Sequence, residues 1–123
     1  MKHLLAIAIC AVALQAGAQQ QGFTSIGPGS STCGNLTQAE NDSKREGPTI
    51  VDMFGGWMQG FLTGLNYQRA IDKGRNSQMV LLPDYPTVKA ALSKYCRDNP
   101  LEIVATGGLT IYSTLKRQQG LTD

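Results

Sequence analysis

Cysteine and histidine are the first residues to ask chemistry of, and this 123-residue chain holds three of the former and one of the latter. His3 is the lone histidine. It lies in an opening segment, Met1-Lys2-His3, that runs apolar through Leu14 and reaches Ala16-Gly17-Ala18. A basic start, a short apolar stretch and a small-x-small site read as a cleavable export signal over 1–18. The apolar stretch is too short to span a bilayer. Cys10 lies inside it and is expected to leave with it. Two thiols remain, Cys33 and Cys96, in a compartment where thiols pair. A Cys33–Cys96 bond would close a loop of roughly 60 residues and stabilise the fold by about 4 kcal/mol in the chain-entropy model. The alternative is two unpaired buried thiols.

Losing His3 removes the commonest general base and the commonest transition-metal ligand. Ser-His-Asp and Cys-His catalysis within one chain are thereby excluded. A zinc site would have to combine two cysteines with carboxylates, without CxxC or HxxxH spacing. The acidic residues are scattered, which does not suit a carboxylate-pair hydrolase. The expectation is a non-enzymatic protein with no cofactor and no metal. Without Lys2, ten Lys+Arg face nine Asp+Glu, a net charge of 10 − 9 = +1. No basic run marks a nucleic-acid footprint. Nine carboxylates titrating near pH 4 leave a strongly cationic chain below about pH 3, which repels itself and loosens.

The remaining residues must build the elements that hold the thiols. Residues 19–32 are rich in Gln, Gly, Ser and Thr and read as a flexible leader tied down at Cys33. A first short helix is expected over about 33–44, with Leu36 and Ala39 inward. Arg45-Glu46-Gly47-Pro48 breaks it. A second helix is expected over about 49–69. Met53, Trp57, Phe61 and Leu65 recur every four residues there, with Ile50, Phe54, Met58 and Leu62 alongside, giving a broad apolar face. Residues 70–83 begin as a polar loop and end extended before Pro83. A third helix over about 84–98 takes Asp84 as N-cap and Pro86 in its first turn. Val88, Leu92, Tyr95 and Cys96 share one face of it, which directs Cys96 inward at the first helix. Asn99-Pro100 stops it. A fourth helix runs from about Leu101 to Arg117, with Leu101, Val104, Gly108, Ile111, Tyr112 and Leu115 as its stripe. The expected fold is all-α: four short helices over 33–118, stapled by one disulfide, with a tail at 119–123.

The sharpest local pattern is Gly56-xxx-Gly60-xxx-Gly64 on the second helix. Each glycine costs about 1 kcal/mol against alanine in a helix interior, so a close approach of another backbone must offset it. A membrane dimer face is excluded, because Gln59, Thr63, Asn66 and Gln68 interrupt the segment. Two readings remain. The fourth helix, with Gly107 and Gly108, packs into the groove, or the groove docks a second subunit or another protein. Trp57 and Phe61 flank it and read as core, or as a binding patch that is masked until the domain loosens.

The order of these features carries a resemblance. An exported leader precedes Thr32-Cys33-Gly34-Asn35-Leu36, then comes the helix Gly56-Trp57-Met58-Gln59-Gly60-Phe61-Leu62-Thr63-Gly64-Leu65-Asn66-Tyr67, then Tyr95-Cys96-Arg97-Asp98-Asn99-Pro100 and a last amphipathic helix. Over about 33–117 this resembles the HdeA/HdeB-like family of small periplasmic proteins. The resemblance implies a single-disulfide helical domain joined through Cys33 and Cys96. It also implies an acid-stress holdase chaperone that exposes apolar surface to protein clients at low pH. The competing expectation is a periplasmic immunity or inhibitor-type protein that blocks one protein partner, or an accessory of an envelope assembly. A homodimer is compatible with each.

Overall fold

The computed structural model describes residues 25–46, 49–74 and 77–121. The expected signal with Cys10, and leader residues 19–24, lie outside the described residues. Four helices form: α1 (Cys33–Glu46), α2 (Thr49–Lys73), α3 (Tyr85–Asp98) and α4 (Val104–Gln118). Among the described residues no strand forms, only an isolated antiparallel bridge between Thr32 and Ile103. The protein is an all-α bundle in which α1 and α4 both pack on α2 and α3.

Cys33 and Cys96 form the staple and are both fully buried. It joins the first residue of α1 to the inner face of α3, closing a separation of 63 residues. Val88, Leu92 and Cys96 are the buried residues of α3, at the i, i+4, i+8 spacing of one helix face. Asp84 caps α3 by accepting from the Thr87 N–H at 3.1 Å. The core around the staple is built from Leu36, Phe54, Met58, Leu62, Val80, Val88, Leu92, Val104 and Tyr112.

Several boundaries differ from expectation, each for a local reason. α1 runs to Glu46, with Lys44 and Arg45 favourably placed in its last turn. α2 continues past Arg69 to Lys73 and stops where Gly74 takes φ +89°, a left-handed end that glycine adopts without steric cost. α4 starts at Val104 and not at Leu101, whose side chain is 92% exposed. The residues before it serve α1 instead. The Glu102 and Pro100 carbonyls accept from the Cys33 and Gly34 N–H groups at 2.7 and 2.9 Å, supplying partners for donors a helix start leaves open. Gly27–Ser30 form a 3-10 helix packed on α2 and α4, and a Cβ added at buried Gly29 would overlap the Trp57 ring.

The apolar stripe of α2 is rotated from its expected position. Val51, Phe54, Met58 and Leu62 face the core, while Trp57, Phe61 and Leu65 pack at its rim and Ile50 and Met53 are exposed.

Candidate functional site

The glycine triplet lies on the side of α2 turned away from the bundle. Gly56, Gly60 and Gly64 are exposed, and a Cβ built on any of them meets nothing within 4 Å. The expected packing of α4 into this groove is therefore absent. The physical reason is that α4 brings its own small residues. At Gly108 an added Cβ would sit 2.7 Å from Phe61 Cδ1 and 2.8 Å from Met58 Sδ. At Gly107 it would sit 2.7 Å from Tyr95 Cδ1. The large side chains of α2 and α3 thus fill notches on α4, and the glycines of α2 are left facing solvent.

Around them the outer face of α2 is uncharged, with exposed apolar side chains and Gln68 continuing the i+4 row of the glycines. Met53, Tyr67 and Ile71 are 57%, 68% and 58% exposed. Thr63 completes the strip. Trp57 and Phe61 stand at its edge with ring centroids 5.0 Å apart and planes 13° from parallel. Trp57 is held on its other side by the Gly27–Ser30 turn, so this aromatic edge is fixed in place. Among the described residues, Met58 is fully buried and Met53 and Met79 are exposed. Tyr112 is buried, Tyr85 and Tyr95 are half-buried and Tyr67 is exposed.

Two polar clusters position α2. Asn66, which in the sequence only interrupts an apolar helix, is a buried polar residue of the core. Its Nδ2 donates to the Val80 carbonyl at 2.8 Å, and its Oδ1 accepts from the Val80 N–H at 3.1 Å and the Tyr112 hydroxyl at 3.0 Å. The side-chain amide thus imitates a strand neighbour for the extended 78–82 segment. Gln119 does the same from the other side, pairing with both backbone groups of Leu81. No periodicity argument exposes this pair, because the signal is one polar residue at a buried helix position.

The second cluster lies at the start of α2. Asp52 Oδ1 accepts from the Tyr85 hydroxyl at 2.8 Å and from Lys89 Nζ at 3.2 Å. These hydrogen bonds, Tyr85 first, hold the Asp52 carboxyl below the usual range, and desolvation with the Asp52 bond raises the Tyr85 phenol. An acid, a phenol and an amine together could relay a proton. Here, however, they sit on the surface and join α2 to α3. Another link, between α1 and α3, is the Ser93 hydroxyl donating to the Glu40 carboxylate.

Among the described residues no group of three or more His, Cys, Asp or Glu is placed to hold a metal. An open groove of about 420 Å³ between α3 and α4 is floored by Ala91, Tyr95, Ile111 and Leu115. Its rim charges, Lys94 and Asp98, pair with each other at 2.8 Å. No described helix is long and apolar enough to cross a membrane. Comparison with family models, curated proteins and solved structures finds no match.

Proposed function

We propose that this is a non-enzymatic periplasmic protein that binds one protein partner through the outer face of α2. One observation carries the reading. Three glycines in the middle of a helix cost about 1 kcal/mol each, and no contact inside the bundle offsets that cost. A face left smooth at such expense, flanked by exposed Met53, Tyr67 and Ile71, suits close approach by another backbone. The face is already uncovered in the folded bundle, which suits a fixed-partner protein of the immunity or inhibitor kind.

A photo-crosslinking residue at Tyr67 in cells tests it. One discrete adduct at neutral pH, lost in Gly60→Arg, is the expected outcome. No adduct at any position along the face removes the proposal.

The acid-stress holdase role implied by the family resemblance is the second reading. What favours it is Asp52, a single acid that ties α2 to α3 and is neutralised in acid. It needs apolar surface that is covered at pH 7 and opened near pH 2. Protection of an aggregating client at low pH only, with no crosslinked partner at pH 7, would select it.

A further inference from the structure

We infer that the cavity between the carboxyl-terminal turns of α2 and α4 binds a monoanionic head joined to an apolar body, with Arg69, Lys73 and Lys116 serving the charge and Leu65 and Tyr112 the body. The site lies on the α4 side of α2 and is independent of the outer face.

The parallel run of the two helices creates the site. Met58 and Phe61 of α2 lie against Gly108 of α4, and further along both helices the Tyr112 hydroxyl donates to Asn66. α2 and α4 therefore point the same way, and their carboxyl ends lie at the same end of the bundle. Leu65, Arg69 and Lys73 follow one another at i+4 spacing on α2, as Tyr112 and Lys116 do on α4. Between the two rows lies a cavity of about 170 Å³, lined also by Gln68 and Asp72.

Charge selects the occupant. Three cations and the Asp72 carboxylate line this one small cavity, an excess of two positive charges. Each helix end opposes that with roughly half a negative charge, so the lining keeps about one net positive charge. Asp72 accepts from Gln68 Nε2 at 2.8 Å, and among the described residues no ion pair engages Lys73. Arg69 is positioned by donating from Nε to the Gln78 carbonyl at 3.1 Å. Arg69 and Lys116 are both half-buried. Like charges held together in a partly buried cleft repel with reduced screening, and an anion between them reverses that cost. Helix-end complementarity accounts for a basic residue in each last turn, and Arg117 supplies that for α4 from outside the cavity lining. It does not account for three cations drawn to one cleft.

Size and polarity set the rest. Half-buried Leu65 and the buried Tyr112 ring give the cavity an apolar side, which receives an apolar group and offers little to a fully hydrated ion. A water takes about 30 Å³ of liquid, so the cavity has room for a compact head with one ring or a short chain, and none for a folded segment. A net charge near one favours a carboxylate or a phosphodiester over a doubly charged phosphomonoester. The same chemistry has two sources, a soluble aromatic carboxylate or the headgroup of an anionic phospholipid.

Amide NMR of the oxidised protein at low ionic strength tests it, with benzoate, benzyl alcohol and inorganic phosphate as probes. Benzoate should shift the amides of 65–73 and 112–118 saturably, with a midpoint of about 1 mM. Benzyl alcohol has the ring without the charge, and phosphate has charge without the ring. Each should bind at least about tenfold more weakly. Lys116→Gln and Lys73→Gln should each weaken benzoate at least about threefold, with thermal midpoints near that of wild type. Arg117→Gln removes a cation from the same turn but outside the lining, and should change binding by less than about 1.5-fold. Phosphatidylglycerol vesicles distinguish the source. Retention on them that is lost in Lys116→Gln and Lys73→Gln but kept in Arg117→Gln assigns the headgroup. Benzoate binding without such retention assigns the soluble carboxylate. Absence of both that retention and a saturable benzoate shift up to about 20 mM overturns the proposal. So does equal binding of benzyl alcohol, or equal weakening by Arg117→Gln and Lys116→Gln.

Discussion

Two sets of glycines on neighbouring helices have opposite fates. Gly107 and Gly108 of α4 are buried, and the Tyr95 ring, the Phe61 ring and the Met58 sulfur occupy the space a side chain would take. Gly56, Gly60 and Gly64 of α2 face open solvent. Both sets pay the same helix penalty. Only the first has an internal contact to offset it. The difference teaches that a small-residue pattern specifies close approach without specifying by what, and that the larger side chains on the opposing helix decide the matter. On α2 these are Phe61 and Met58, which project toward α4 and need notches there.

The largest test of this contrast acts on the staple that holds α1, α3 and the start of α4 together. Cys96→Ala should lower stability by about 2–5 kcal/mol, read by denaturant titration. It also frees Cys33, whose backbone N–H is bonded to the Glu102 carbonyl two residues before α4. If α4's packing depends on that anchoring, hydrogen exchange in Gly107 and Gly108 should accelerate along with the global loss. Exchange confined to α1 would show that the buried glycine contacts hold α4 without the staple.

Next in size is the direct comparison of the two glycine sets. Gly108→Val should cost about 1–3 kcal/mol or more by overpacking, because its side chain meets both a ring and a sulfur. Gly60→Ala should instead stabilise, by up to about 1 kcal/mol, because helix propensity improves and no clash follows. Equal destabilisation by both substitutions would mean that α2 is covered in solution even in the monomer.

These expectations mark how far the residues alone could be read. The four helices, the Asp84 cap and the inward face of α3 follow from short-range rules, 3.6-residue periodicity and capping chemistry, and the disulfide follows from the two thiols left outside the expected signal. The expected α4 start at Leu101 fails because the residues before Val104 are claimed by tertiary hydrogen bonds, and residues 27–30 are held by packing. The Pro100 and Glu102 carbonyls serve the start of α1, and Gly29 accommodates Trp57. The glycine groove was legible as a feature. Its orientation was not, because Met53, Trp57, Phe61 and Leu65 compete with Val51, Phe54, Met58 and Leu62 for the same core, and periodicity cannot rank two adjacent stripes. Asn66 illustrates the remaining gap. Its partner lies 14 residues on, in a segment without regular structure.

That residue supplies the next prediction. Asn66→Ala leaves the Val80 N–H and carbonyl without their side-chain partner and should cost about 1–3 kcal/mol. Protection from exchange should fall in 78–82 while the outer face of α2 keeps its behaviour. Loss of the Tyr67 crosslink in this variant would show that the docking face depends on the inner side of the helix, and the clean separation between buried and open faces would be broken.

The smallest expected effect concerns acid. Asp52, Asp84 and Asp98 are each held below the ordinary carboxylate range, mainly by hydrogen bonds from Tyr85, Thr87 and Lys94 respectively. A carboxyl whose folded value is depressed contributes stability that is present above its unfolded value, near 3.9, and is lost as pH falls through the folded value. All three groups are exposed, so each contribution is small and falls with salt. Thermal midpoints should accordingly be level between pH 7 and 5 as far as these groups are concerned, and decline below about pH 4. Asp52→Asn should shallow that decline, because it removes the one acid linking the start of α2 to α3. The open glycine face lies beside this link and does not depend on it, so dye binding to the face at pH 7 should be the same in Asp52→Asn and wild type. If dye binding instead appears only in acid, and appears at higher pH in Asp52→Asn, then the face is covered at neutrality and Asp52 is its latch. The contrast between a filled α4 and an open α2 would then describe the acid state alone, and the holdase reading would replace the fixed-partner one.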